Sequence, residues 1–193
     1  MPKEHPILFS EPMKALTVCQ PYAHLICLPD ADERAKRVEN RTWPTSVRGE
    51  ILIHAGKGRK YLNLYRTANG QQRDVEYNIE LSDMTFGAFV AVAKLAACVQ
   101  LGHVSMHVGH FEMSVNGKVT RSEEYQRTGS LVPPDARERF PWLATHLHTE
   151  GPFCFVLTDV RPLAKPIPFR GAQGFFNVPA AIEDAVKREV NHG

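Results

Sequence analysis

The sequence predicts an α+β domain in which short strands curl into a barrel flanked by short helices, with an irregular insertion. Three observations predict it. Apolar runs of strand length recur between Pro, Gly and polar turn clusters. The only clearly amphipathic helical segment closes the chain. The chain also lacks GxGxxG and GxxxxGK[ST], so a doubly wound nucleotide fold is not indicated.

The elements follow in order. Residues 1–13 read as a loose arm, and 14–193 as one domain, within the usual size for 193 residues. Lys14 to Val18 is a short strand. Pro21 belongs in the first turn of a helix over Tyr22 to Leu28, where its missing N–H does no harm. PDADERAK is a polar turn. In RVENRTWPT, Val38, Asn40 and Thr42 alternate with Glu39, Arg41 and Trp43, the mark of a half-buried strand ending at Pro44. VRGEILIHAGK is the next strand, bounded by Gly49 and by Ala55-Gly56. Residues 58–80 are polar, carry the helix-like stretch GRKYLNLYRTANG, and read as an insertion.

DMTFGAFVAVAKLAACVQL is apolar enough for a central strand at 87–94. Residues 102–140 form a second insertion, irregular or lid-like, with Asn116-Gly117 as a turn. RERFPWLATHLHTEG suggests a short helix ending at Gly151. PFCFVLTDVRPL is a strong strand, KPIPFRGAQGFFNVP holds a short extended piece at its end, and AAIEDAVKREV is the terminal helix. A closed or nearly closed barrel follows, with the strands at 87–94 and 153–158 at its centre.

Composition narrows the function. The formal net charge is only +2, too little for a long duplex-coating surface, while a short strand or single nucleotide stays compatible. Cys19, Cys27, Cys98 and Cys154 form no CxxC pair and read as small buried hydrophobes in a reducing compartment. No apolar run approaches a membrane span and no signal-peptide core is visible, so the expected location is the cytoplasm. His103, His107, His110, His146 and His148 fit no metal-ligand spacing and read as scattered loop histidines; no metal or cofactor is expected.

The pieces LTVCQPYAHLI, KRVENRTW and RGEILIHAGK, with PFCFVLTDVRPLAKPIPFRG and GFFNVP near the C-terminus, resemble the ASCH domain family of the PUA-like superfamily. The resemblance covers the core but not residues 58–80 or 102–140. It implies a PUA-like β-barrel of ASCH type, a cleft between barrel and helices, and an RNA-related role. One branch of the family hydrolyses N4-acetylcytidine, with a lysine followed three positions later by a threonine. Lys36 falls on that lysine; Glu39 stands at the threonine position, which departs from the branch.

The residues themselves support a polar site. A desolvated lysine at Lys36 can act as base or nucleophile, and Glu39 can accept an exocyclic amine proton or orient the lysine. Against this stands a plain loop-edge salt bridge. Glu39, Arg41 and Trp43 share one strand face and could wall a planar ligand. His54, in ILIHAG, is either a cleft-facing catalytic group or a core histidine bonded to backbone. Gln20 and Tyr22 open the first helix and could bond a base edge and stack. Arg48, Lys57 and Arg170 sit beside glycines as possible phosphate or base contacts. Because Lys36 lies in a polar context, its removal is expected to leave the fold stable.

Three functions compete. A binding module would take a base, a nucleoside or a single strand of RNA or DNA into the cleft. A hydrolase would act there on RNA or on a modified nucleobase. A protein-partner or structural module would use an apolar patch elsewhere.

Overall fold

The structure, a computed structural model, describes residues 12–107, 110–115, 118–121 and 131–191. The first half runs β1 (Lys14–Val18), α1 (Tyr22–Ile26), β2 (Val38–Arg41), β3 (Gly49–Ala55), β4 (Leu64–Arg66), β5 (Gln72–Asp74) and β6 (Ala88–Gln100). The second runs β7 (His103–His107), β8 (His110–Val115), β9 (Lys118–Arg121), α2 (Pro134–Arg139), β10 (Phe153–Pro168), β11 (Phe175–Asn177) and α3 (Ala180–Asn191).

Six strands form one mixed sheet in the order β11-β1-β3-β6-β10-β2. β1 and β3 run parallel; the other neighbours are antiparallel. Register shifts in the β6–β10 pair, at Val156/Leu157, Thr158/Arg161 and Pro162/Ile167, bend the two longest strands, since each extra residue raises local twist. The sheet therefore curls until side chains at its two ends meet. Trp43, just past β2, packs edge-on against Phe175 of β11 at 5.8 Å.

The result is a curled, open half-barrel with helices around it, an α+β barrel-like fold that is less closed than the closed or nearly closed barrel expected. β2 has four residues and β11 three. Such short end strands cannot form a backbone ladder to each other, and Pro44 follows β2 closely, with no N–H to offer.

β3 and β6 are the central strands because both their faces are covered. On the inner face Leu16, Ile51, Ile53, Ala91 and Phe155 form one cluster. On the outer face Leu52, Phe89 and Val92 pack under Val186 of α3. A strand buried on both faces reads as a continuous apolar run, which explains EILIHA and AFVAVA. A third cluster seats Ala136 of α2, with Phe140 and Leu143, on Val38, Cys154 and Val156. All four cysteines are free.

The two expected insertions are more regular than the sequence suggested. GRKYLNLYRTANG forms no helix; β4 and β5 pair as a hairpin, with Tyr65 opposite Arg73. Asn69-Gly70 explains this: Gly70 has φ +80, a turn conformation glycine adopts at no steric cost and a helix cannot use. Buried Asp74 fixes the hairpin by accepting backbone N–H groups from Tyr77 and Asn63, both at 3.1 Å. Residues His103–His107, His110–Val115 and Lys118–Arg121 form a three-stranded antiparallel sheet, β7-β8-β9, more regular than the lid-like insertion expected. The predicted Asn116-Gly117 turn lies outside the described residues. No helix among the described residues is long and apolar enough to cross a membrane.

Candidate functional site

A cleft of about 160 Å³ opens between α1 and the end of β2, walled by Tyr22, Lys36, Glu39, Arg41, Tyr61 and His148. Lys36 arrives from the loop before β2. Its backbone N–H is held by the Leu25 carbonyl at 3.0 Å, so the end of α1 positions it. Glu39 and Arg41 project from one face of β2, as the period of two requires.

The three charges are tightly placed. Lys36 Nζ stands 3.5 Å from Glu39 Oε2, with the two side chains 3% and 7% exposed. Arg41 Nη1 lies 3.2 Å from Glu39 Oε1. Tyr22 offers its ring face to Lys36 Nζ at 5.0 Å, a cation–π contact. Burial pushes the Lys36 ammonium below the ordinary lysine range, with Glu39 opposing the shift. Lys36 is thus a buried group, and the expectation that its removal leaves the fold stable is corrected: an alanine there would leave a void and take one of two cations from the buried Glu39 carboxylate.

Three polar atoms of the cleft residues are buried without a hydrogen bond, Glu39 Oε2, Arg41 Nε and His148 Nε2, although Lys36 faces Glu39 Oε2 as an ion pair. Buried polar atoms are nearly always paired, so such orphans mark a place for something else. His148 was not legible in the sequence as a site residue. Asn40 brings it in: its amide Nδ2 donates to the His148 carbonyl at 2.9 Å, and its Oδ1 accepts from Gly151 N at 3.1 Å. His148 packs edge-on against Tyr22 at 6.1 Å. Burial, with the Lys36 charge second, pushes its pKa down to about 4, so the ring is neutral near pH 7. Tyr61, from the residue 58–80 insertion, and Glu150 complete the cleft and were also missed.

The other predicted residues go elsewhere. Gln20 is buried, its Nε2 donating to Thr85 O at 2.6 Å and its Oε1 accepting from His24 N at 3.0 Å, so it anchors α1. Trp43 does not extend the Glu39–Arg41 wall; it packs on Phe155 at 5.1 Å and on Phe175. β2 ends at Arg41, so the alternation no longer governs Trp43. Arg48 is exposed and donates to the Thr45 and Val47 carbonyls.

His54 does not line the cleft of Lys36 and Glu39. Its Nε2 bonds the Phe169 carbonyl at 3.0 Å, and its Nδ1 lies 3.3 Å from Thr17 Oγ1. Burial holds it below the ordinary histidine range. It lies instead in a second cavity of about 760 Å³, together with Lys57 and Arg170. The structure therefore divides the predicted residues: Tyr22, Lys36, Glu39 and Arg41 in one cleft, and His54, Lys57 and Arg170 in another.

Among the described residues no group of three or more His, Cys, Asp or Glu is placed to hold a metal ion. Compared with known proteins, the chain matches no protein-family model and no curated protein.

Proposed function

We propose that the cleft at Lys36 and Glu39 receives one unstacked nucleobase, from single-stranded RNA or a related modified nucleotide, and that the domain is a PUA-like module of ASCH type. The single observation behind this reading is the set of buried atoms without a hydrogen bond, Glu39 Oε2, Arg41 Nε and His148 Nε2, around an open cleft with aromatic walls. A cavity of about 150 Å³ accommodates one six-membered ring. The carboxylate supplies an acceptor for an exocyclic amine, as on cytosine N4. Tyr22 and Tyr61, with ring centroids 5.7 Å apart and tilted by 52°, supply aromatic surface for a planar face. Lys36 and Arg41 are balanced within the cleft by Glu39 and Glu150, which suits a neutral ring better than a phosphate. A cleft between barrel and first helix is also what the ASCH resemblance implies.

The test is a titration of the purified protein with cytidine, uridine and N4-acetylcytidine, repeated with Glu39→Gln. Tighter cytidine binding, lost in the variant by about 10-fold as expected for one amine contact at roughly 1–3 kcal/mol, supports the reading. Equal affinity for cytidine and uridine, unaffected by Glu39→Gln, overturns it.

A second reading, hydrolysis at the same base, has one observation in its favour: burial lowers the Lys36 pKa, raising the share of neutral amine able to attack or take a proton. Release of cytidine from N4-acetylcytidine, abolished by Lys36→Met, separates turnover from binding.

A further inference from the structure

The second cavity has no role in base recognition, and its chemistry is different. It lies where the C-terminal ends of β1 and β3 meet the segment Pro168–Gln173. Among the described residues Lys57 and Arg170 are its only charged wall residues, with no acid beside them. Neither cation has a hydrogen-bond or ion-pair partner among the described residues. The first cleft, in contrast, sets two acids against two cations.

Close backbone approach fixes the stem of Lys57 and the chain beside Arg170. Gly87 has φ +67, and a Cβ on it would come within 2.5 Å of Lys57 Cε, so the lysine stem lies directly over bare backbone. Gly171, next to Arg170, would put a Cβ 2.4 Å from His54 Cε1 and 2.7 Å from Thr17 Oγ1. The 170–172 turn thus rests on the His54 ring, and Thr17 Oγ1 fastens it by donating to the Ala172 carbonyl at 2.8 Å. These constraints aim two unpaired cations from distant parts of the chain at one space. That space is within the ordinary size range for small-molecule sites, about 300–1,000 Å³.

The two cavities adjoin at the end of β1. Thr17 lines the second and Cys19 the first, two residues apart. Thr17 also links them directly: its carbonyl accepts from Arg41 Nη2 at 2.7 Å while its hydroxyl faces His54.

We infer that Lys57 and Arg170 form a phosphate site, and that the ligand is a single-stranded nucleic acid whose base enters the Glu39 cleft while an adjacent backbone phosphate lies between these two cations. This inference rests on the base-binding reading of the first cleft. Lysine serves as a point charge and arginine as a planar fork for phosphate oxygens. A free nucleoside would leave the second cavity empty, so the chemistry selects a phosphorylated, extended ligand.

The test uses fluorescence anisotropy with a labelled cytidine-rich RNA heptamer at two salt concentrations, and calorimetry with cytidine and with cytidine monophosphate. The variants are Lys57→Ala/Arg170→Ala and Glu39→Gln. Both cations are exposed, and an unchanged melting temperature verifies the fold; Lys57→Arg provides a variant that keeps the charge. The double variant is expected to bind the heptamer at least 10-fold more weakly, with its salt slope reduced by about 0.7 per lost phosphate contact, and to bind cytidine as wild type does. Lys57→Arg keeps most of the affinity. Heptamer affinity and slope unchanged in the double variant, with Glu39→Gln still harmful, overturns the phosphate site and leaves the base cleft standing. Heptamer binding lost in the double variant but untouched by Glu39→Gln supports the phosphate site and removes the base cleft. Equal gains for cytidine monophosphate and heptamer over cytidine assign the site to a terminal phosphate and overturn the polymer.

Discussion

Arg41 Nη2 donates a 2.7 Å hydrogen bond to the carbonyl of Thr17 while its Nη1 holds Glu39 at 3.2 Å. β2 and β1 are separated by three strands within the sheet, so this one side chain bridges the opening of the half-barrel and fixes the carboxylate at once. A guanidinium can do both because its donors leave in fixed, diverging directions. Arg41→Lys has one ammonium and cannot span both acceptors with the same geometry. It is expected to cost about 1.5–3 kcal/mol, the range for a hydrogen bond involving a charged group, and to weaken cytidine binding. Urea unfolding and calorimetry check the two effects; unchanged values in both would remove Arg41 as the bridge.

Lys36 and Glu39 carry a second prediction. Lys36→Ala leaves a cavity and removes one of the two cations on the buried Glu39 carboxylate, so it is expected to lower stability by about 2–5 kcal/mol. Removing both charges with similar volume, as in Lys36→Met/Glu39→Leu, is expected to recover part of that loss, since Arg41 keeps only its bond to the Thr17 carbonyl, while abolishing base binding. Equilibrium denaturation of the two variants decides. A double variant as unstable as Lys36→Ala would locate the cost in packing rather than in the orphaned carboxylate.

Gly171→Ala probes the second cavity without removing a charge. The new methyl would meet His54 at 2.4 Å, and the ring cannot retreat, since Phe89 stands 5.5 Å from it and Phe176 6.2 Å. The 170–172 turn must lift instead. Overpacking of this kind costs about 1–3 kcal/mol, and the heptamer should bind more weakly with cytidine unaffected. Wild-type heptamer affinity alongside a lowered melting temperature would show that the position of Arg170 does not matter for binding.

Much of this site was legible in local pattern, and the rest depended on tertiary packing. The two-residue spacing of Glu39 and Arg41 placed those groups together because a strand fixes direction over such distances, whereas Lys36 comes from the loop before β2 and is brought in by the bond of its N–H to the Leu25 carbonyl. Trp43 escaped the pattern because the strand stops two residues before it. His54 was ambiguous for another reason. Both faces of β3 are covered, so alternation along it could not tell a cleft-facing side chain from one packed beneath the 170–172 turn. His148, Tyr61 and Glu150 come from irregular segments, where no periodicity sets direction. The Asn40 amide, bonding the His148 carbonyl from β2, and the rings of Tyr22 and Tyr77 bring His148 to the cleft. The β4–β5 hairpin did have a signal, Asn69-Gly70, that outweighed the helical spacing of its apolar residues.

The protonation of His148 gives the last prediction. In the folded protein its pKa is pushed down to about 4, first by burial and then by the Lys36 charge; an unfolded histidine titrates near 6.5. Between these values the unfolded chain binds a proton that the folded chain refuses, so stability rises with pH across the window. The sign follows: the contribution is complete above about pH 6.5 and is lost progressively as pH falls toward 4. For a side chain this buried the full span is worth up to about 3 kcal/mol. His146 is also pushed to about 4, by burial and then by His148. Its Nε2 accepts the Arg37 N–H at 3.1 Å, a bond that protonation there would break, so the two rings should act in the same direction. Carboxylates titrate in the lower part of the window, so the informative quantity is a difference between proteins. Urea midpoints for wild type and His148→Gln, measured from pH 7.5 to 4.5, should converge on acidification, because the variant lacks the titrating ring and keeps a neutral side chain. Parallel midpoint curves would show that His148 is protonated as readily in the fold as out of it, and would remove the neutral ring from the cleft.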